Sequence, residues 1–216
     1  MNTKALMSSA LIILLLLFSM GIYFYNSHKA GGNKTELDSV LIREHSYILG
    51  DENAKVTVVE FFDPACPACV AKAPAVARLP ELYNSQVRVV YRSLALHNGS
   101  EVILSLMEAA KVQGKYKEAS AAFNAYYGSW FSNNQVNSFI AWNVLERTGT
   151  DMEKVRTFLD ENQSAIDSML RQNMEDATAL GVNATPTFFV NGVKVEQNEL
   201  IRTIENEIIK ANGSEK

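Results

Sequence analysis

Cys66 and Cys69 stand three positions apart and are the only cysteines in the chain. The run before them, Val56-Thr57-Val58-Val59-Glu60-Phe61-Phe62, is nearly continuous in apolar and β-branched residues, as buried central strands are. After them Val70, Ala73, Val76 and Leu79 recur at spacings of three, a helical period. The pair therefore falls at a strand-to-helix junction, where unsatisfied N–H groups and the helix macrodipole favour an anion. A thiolate at Cys66 gains from both and becomes reactive. Cys69, one turn inside, is placed to close a disulfide with Cys66 and to be the less exposed of the two. Pro67 suits the first helical turn, where its missing N–H costs nothing, and Ala68 completes the intervening dipeptide.

Other chemistries compete for the same two sulfurs. A purely structural disulfide would close so short a loop that little chain entropy is removed. A zinc site wants about four ligands. His28, His45 and His97 show no ligand spacing and read as surface or packing residues, so no metal site is assigned. A thiol-based copper-binding module remains an alternative. The redox reading requires neither a metal nor an organic cofactor.

The elements that must hold the pair follow from pattern. Val87–Tyr91 reads as a second strand, and strand–helix–strand implies a right-handed parallel crossover. Pro74 should kink the helix running from Cys66 to about Tyr83, and Pro80 should bend or end it. Apolar residues then keep helical spacing at Val102, Ile103, Leu106 and Met107, and again at Met152, Val155, Phe158 and Leu159. Phe139–Leu145 suggests another helix, so a helical subdomain of three or four helices is expected, with Phe123, Tyr126, Tyr127, Trp130 and Phe131 in its core. Thr187–Val190, Asn191-Gly192 and Val193–Val195 form a hairpin with a type I′ turn. Leu200, Ile201, Ile204, Ile208 and Ile209 mark a final amphipathic helix.

Phe61-Phe62-Asp63-Pro64-Ala65-Cys66-Pro67-Ala68-Cys69, together with Gly181-Val182-Asn183-Ala184-Thr185-Pro186-Thr187-Phe188-Phe189-Val190-Asn191-Gly192, resembles the DsbA family of thiol:disulfide oxidoreductases in the thioredoxin-like superfamily. The resemblance implies an α/β thioredoxin fold with an inserted helical subdomain, preceded here by a signal or membrane-anchor helix. It implies that Cys66 and Cys69 are catalytic and that Pro186 is cis beside the sulfurs. It further implies that the backbone at Thr185 pairs with an extended substrate and that Glu60 is a buried acid beneath the pair, able to relay the Cys69 proton. From the residues alone Glu60 could equally be a strand-end glutamate reaching solvent, and Asp63 reads as a turn or capping residue. Pro67-Ala68 lacks the histidine of strongly oxidising members, and Thr185 also occurs in isomerase-like and reductase-like relatives. The direction of electron flow is open between disulfide formation and reduction or isomerisation.

Organisation and address come from the rest of the 216 residues. Ala5–Tyr25 is uncharged and, as a helix, would span roughly 30 Å, about a bilayer's hydrocarbon core. Its short apolar centre and Ser19-Met20-Gly21 fit a cleaved signal. The continuation Ile22-Tyr23-Phe24-Tyr25 fits an uncleaved anchor. Either way the remainder is exported, where a Cys pair can persist as a disulfide. The expected division is 1–30 signal or anchor, 31–50 linker and lead-in, 51–98 first part of the thioredoxin fold, 99–180 helical insertion, and 181–216 second part. A net charge of −4 argues against a nucleic-acid partner. The expected partners are exported proteins with thiols or disulfides and a membrane redox partner, met in the periplasm or its extracytoplasmic equivalent at the inner membrane.

Overall fold

The computed structural model describes residues 39–213. The signal or anchor expected at Ala5–Tyr25 lies outside the described residues. Among those described, no helix is long and apolar enough to cross a membrane.

A five-stranded mixed sheet carries the site. Its strands are β1 (Tyr47–Leu49), β2 (Val56–Phe62), β3 (Val87–Ser93), β6 (Thr187–Val190) and β7 (Val193–Val195), in the order β1-β3-β2-β6-β7. The central strand β2 runs parallel to β3 and antiparallel to β6, with Glu60 opposite Tyr91 on one side and Phe188 on the other. The parallel pairing of β2 and β3 meets the expected crossover. β1 pairs antiparallel with β3, a strand the sequence showed only as a short packed lead-in. Asn191 and Gly192 both have positive φ, at 47° and 84°, as the expected I′ turn requires.

The helix after Cys66 is split. α1 (Pro67–Ala77) continues through Pro74, and the break falls instead at Arg78, before the single turn α2 (Leu79–Leu82) with Pro80 in its first turn. Five helices lie between β3 and β6: α3 (Ser100–Lys111), α4 (Tyr116–Ala125), the single turn α5 (Tyr127–Trp130), α6 (Ser138–Glu146) and α7 (Met152–Ala179). A small ribbon, β4 (Phe131–Ser132) with β5 (Gln135–Val136), interrupts them. α7 runs 28 residues, far beyond the apolar signal near its start; its later half buries Ile166, Met169, Asn173, Asp176 and Ala177, two of them polar, which blurs the apolar period there. α8 (Leu200–Gly213) closes the chain.

Burial separates two apolar clusters. Val56, Val58, Val87, Val89, Phe188 and Ile204 belong to one, which joins the sheet to α1, α2 and α8. Ile103, Leu106, Phe123, Trp130 and Leu145 belong to the other, within the helical segment, which also takes in Ala65 beside the cysteines. Gly99 lies close to that second cluster, with φ +83° and space so tight that a Cβ there would meet the Val136 side chain at 2.7 Å. A side chain is excluded both by backbone conformation and by contact.

A buried polar tie crosses the molecule. Arg92 on β3 is fully buried, donates to the Leu41 carbonyl, to Asn173 and to Asp176 on α7, and lies 5.2 Å over the Phe61 ring. Asp176 also receives Arg43 through both oxygens. His45, expected at the surface or in packing, lies 2.8 Å from Asn173.

Candidate redox site

Alternation along β2 puts Glu60 on the same sheet face as Val56 and Val58, the face that α1 covers. This geometry drives the carboxyl beneath the cysteines. Cys66 is the N-cap of α1, with extended backbone at φ −76° and ψ 119°. Both cysteines are free thiols, 7% and 3% exposed for Cys66 and Cys69. Pro67 and Ala68 between them are exposed, so the dipeptide is surface and the sulfurs sit just below it.

The Cys66 thiol makes no capping bond to its own helix; it donates to the carbonyl of Thr185 at 3.2 Å, and the Thr185–Pro186 peptide bond is cis. Pro186 is buried, and its carbonyl accepts from Gln197 at 2.9 Å. Two segments separated by 119 residues thus meet at one sulfur. Burial pushes the Cys69 thiol up, against a hydrogen bond from backbone at Asp63, with the negative charges of Cys66 and Glu60 adding to the rise.

Glu60 is 2% exposed, which removes the reading of a strand-end residue reaching solvent. Burial raises its carboxyl to about 8, with only the Lys72 ammonium pulling the other way. Glu60 and Cys69 line one small cavity of about 60 Å³ together with Phe62, Tyr91 and Met107. That is space for water, which needs roughly 10–15 Å³ per molecule. Ala73, Ala77, Tyr91, Ser120 and Asn124 are shared with a second cleft of about 210 Å³ between α1 and α4.

Asp63 is more than a turn residue. It is fully buried and its carboxyl gathers five donors: Ala65 N–H and Ser100 Oγ on one oxygen, and the N–H groups of Leu96 and His97 with His97 Nδ1 on the other. Its carbonyl accepts from Cys66 N–H at 3.0 Å. His97, expected as a surface or packing residue, is therefore bound to the loop that carries Cys66, with its ring edge-on to Phe131 at 6.0 Å.

Two more residues, from the helical segment, reach the backbone that flanks the pair. Tyr127 donates to the Ala65 carbonyl at 2.9 Å, and Asn124 donates to the Val70 carbonyl at 2.7 Å. The sequence pattern makes Tyr127 a core residue and gives no signal at Asn124, since neither position has local periodicity that points toward residues 54 to 62 positions away. Among the described residues, no group of three or more His, Cys, Asp or Glu side chains is arranged to hold a metal ion.

A thioredoxin family model matches residues 43–210. The curated Na(+)/H(+) antiporter NhaA 3 of Salinispora tropica is 32% identical over 152 residues, covering 69% of this chain but only 22% of the antiporter. The chain therefore spans about a fifth of that relative's length. A thioredoxin-like oxidoreductase from Silicibacter pomeroyi superposes with a TM-score of 0.64 at 28% identity, over 82% of this chain and 97% of the other. The thiol-disulfide exchange protein α-DsbA2 from Wolbachia pipientis gives a TM-score of 0.69 at 17% identity, over 85% and 98%, a likeness of fold.

Proposed function

The chain belongs to the thioredoxin family, and on that premise we propose that it is an extracytoplasmic thiol:disulfide oxidoreductase exchanging disulfides with exported proteins through Cys66 and Cys69, in the direction of disulfide formation. The DsbA resemblance read from its motifs and the oxidoreductase class are matched by its structural neighbours. The observation that carries the reading is the meeting of the Cys66 thiol with the Thr185 carbonyl at 3.2 Å, above a second, more buried cysteine and a buried acid.

The steps follow from exposure and proton affinity. With the pair oxidised, a client thiolate attacks Cys66, the more exposed sulfur, forming a mixed disulfide and expelling Cys69 as a thiolate. Cys69 then takes a proton, since burial opposes its charge. Glu60, raised to about 8 and sharing the small cavity with Cys69, is the donor, directly or through water in that cavity. A second client thiolate attacks the client sulfur and releases Cys66. The client loses two electrons, the pair gains them, and a membrane redox partner removes them again.

Thr185 and Pro186 supply the substrate-facing loop, where an extended client segment would add as a strand. Residues 99–180 act as an insertion between residues 51–98 and 181–216, the two parts of the thioredoxin fold. Ala5–Tyr25 addresses the domain to the outer face of the cytoplasmic membrane, by its length and apolar character. Occurrence of a similar segment within a chain named as an antiporter agrees with work at a membrane.

Equilibration of the pair with glutathione buffers tests the reading. A potential near that of strong oxidants, with a trapped mixed disulfide in Cys69→Ser, is expected. A thioredoxin-like low potential overturns the oxidising direction in favour of reduction or isomerisation. Full activity in Cys66→Ala overturns the redox reading altogether.

A further inference from the structure

Ala65, the residue before the client-facing sulfur, is held at both ends. Its N–H is taken by Asp63 Oδ1 at 2.8 Å and its carbonyl by the Tyr127 hydroxyl at 2.9 Å. Only the first of these bonds is local. The second comes from α5, in the helical insertion, and is supported by aromatic packing: Tyr127 stands edge-on to Trp130 at 5.3 Å and beside Phe131 at 5.4 Å. Trp130 is itself fully buried and donates to the Phe123 carbonyl at 2.7 Å. The phenol is thus mounted on a fixed base and aimed at the Cys66 turn.

The geometry points to Tyr127 as a positioning residue for Cys66, through which the helical insertion sets the redox balance of the pair. This rests on the redox reading above. A carbonyl oxygen next to a sulfur presents a partial negative charge that opposes the thiolate. A hydroxyl donated to that oxygen offsets the charge and holds it in place. The phenol and the sulfur also sense each other directly: the Tyr127 hydroxyl is raised by burial first and then by negative charge on Cys66 and Asp63. The groups around Cys66 are the Thr185 carbonyl that its thiol meets, Asp63 with its bound His97, Cys69 on α1, and Tyr127 on α5. Among them Tyr127 brings an O–H dipole from outside the thioredoxin-fold strands. With no histidine between the cysteines, this hydroxyl supplies polar support that the dipeptide does not.

Tyr127→Phe tests it, because the ring packing stays and only the hydroxyl goes. The thiolate belongs to the reduced pair, so disfavouring it makes the reduced pair release electrons more readily. The equilibrium constant with glutathione is expected to shift about threefold toward the disulfide form, or ~14 mV more reducing at 29.6 mV per tenfold. Alkylation of Cys66 at fixed neutral pH, measured in the Cys69→Ser background, is expected to slow by a similar factor. Melting temperature is followed in parallel, and a mere packing role would move it while leaving both redox readouts in place. Unchanged glutathione equilibrium and alkylation rate overturn the inference. A wild-type pair that does not exchange with glutathione at all overturns the redox reading instead.

Discussion

Asn124 donates its side-chain amide at 2.7 Å to the carbonyl of Val70, the one carbonyl in α1 that Pro74 deprives of its helical donor. In an α-helix that carbonyl would accept from the N–H four residues on, which proline lacks. α4 therefore repairs the defect in the helix that carries Cys69, one residue beyond that sulfur. Asn124→Ala is expected to cost about 1–3 kcal/mol in denaturant unfolding, the range for a buried acceptor left unmet. In a Pro74→Ala background the same substitution should cost about 1 kcal/mol less, because an alanine there restores the helical N–H. Equal costs in both backgrounds would show that the amide is not filling the proline gap.

Glu60 makes stability and turnover depend on pH in a defined window. Its carboxyl is raised from the ordinary 4.5 to about 8. Below 4.5 folded and unfolded chains both hold the proton. Between 4.5 and 8 the unfolded chain releases it while the folded chain keeps it, so stability falls as pH rises through this range and levels off above it. Glu60→Gln should flatten that slope in urea titrations and leave the protein more stable at about pH 9, by on the order of a few kcal/mol. The same variant should slow formation of the client–Cys66 mixed disulfide near neutral pH, the step that expels Cys69.

The two sulfurs should separate under alkylation. Burial pushes the Cys69 thiol up and leaves it 3% exposed. Brief iodoacetamide treatment of the reduced protein at neutral pH should add one label, and peptide mass spectrometry should find it on Cys66. Labelling of Cys69 at a comparable rate would contradict the assignment of Cys66 as the sulfur that meets the client.

The tie between β3 and α7 should fail in acid. Burial alone would raise the Asp176 carboxyl, but hydrogen bonds from Arg43 and Arg92 outweigh it and hold the carboxyl below its ordinary 3.8. Its contribution is present above that ordinary value and is lost as pH falls through the lower folded one. Asp176→Asn should remove this part of acid unfolding. Arg92→Met, which leaves a buried carboxylate short of a partner, should cost about 3–5 kcal/mol. Thermal melts at about pH 7 and about pH 3 distinguish the two variants.

Local pattern carried the scaffold further than the site. Val56–Phe62 was legible to its ends, because a nearly continuous apolar and β-branched run belongs to a strand buried on both faces. The hairpin was legible because Asn191-Gly192 encodes its turn chemically. β1 escaped notice since three residues give too short a period. Asp63, Tyr127 and Asn124 escaped for a different reason: each acts through contacts made only once distant segments have packed. An aspartate after a strand reads as a turn until five donors converge on it. Tyrosine and asparagine in an amphipathic helical region look like ordinary core and surface until their targets are known.

The Arg92 tie also fixes where mechanical load would travel. Leu41 and Arg43 are fastened to β3 through Arg92 and to α7 through Asp176. A pull on the chain ahead of them would pass into the sheet and along a helix roughly 42 Å long. None of these fastenings touches α1. A pull applied ahead of Leu41 would thus be borne by β3 and α7, leaving the spacing of the two sulfurs unstrained.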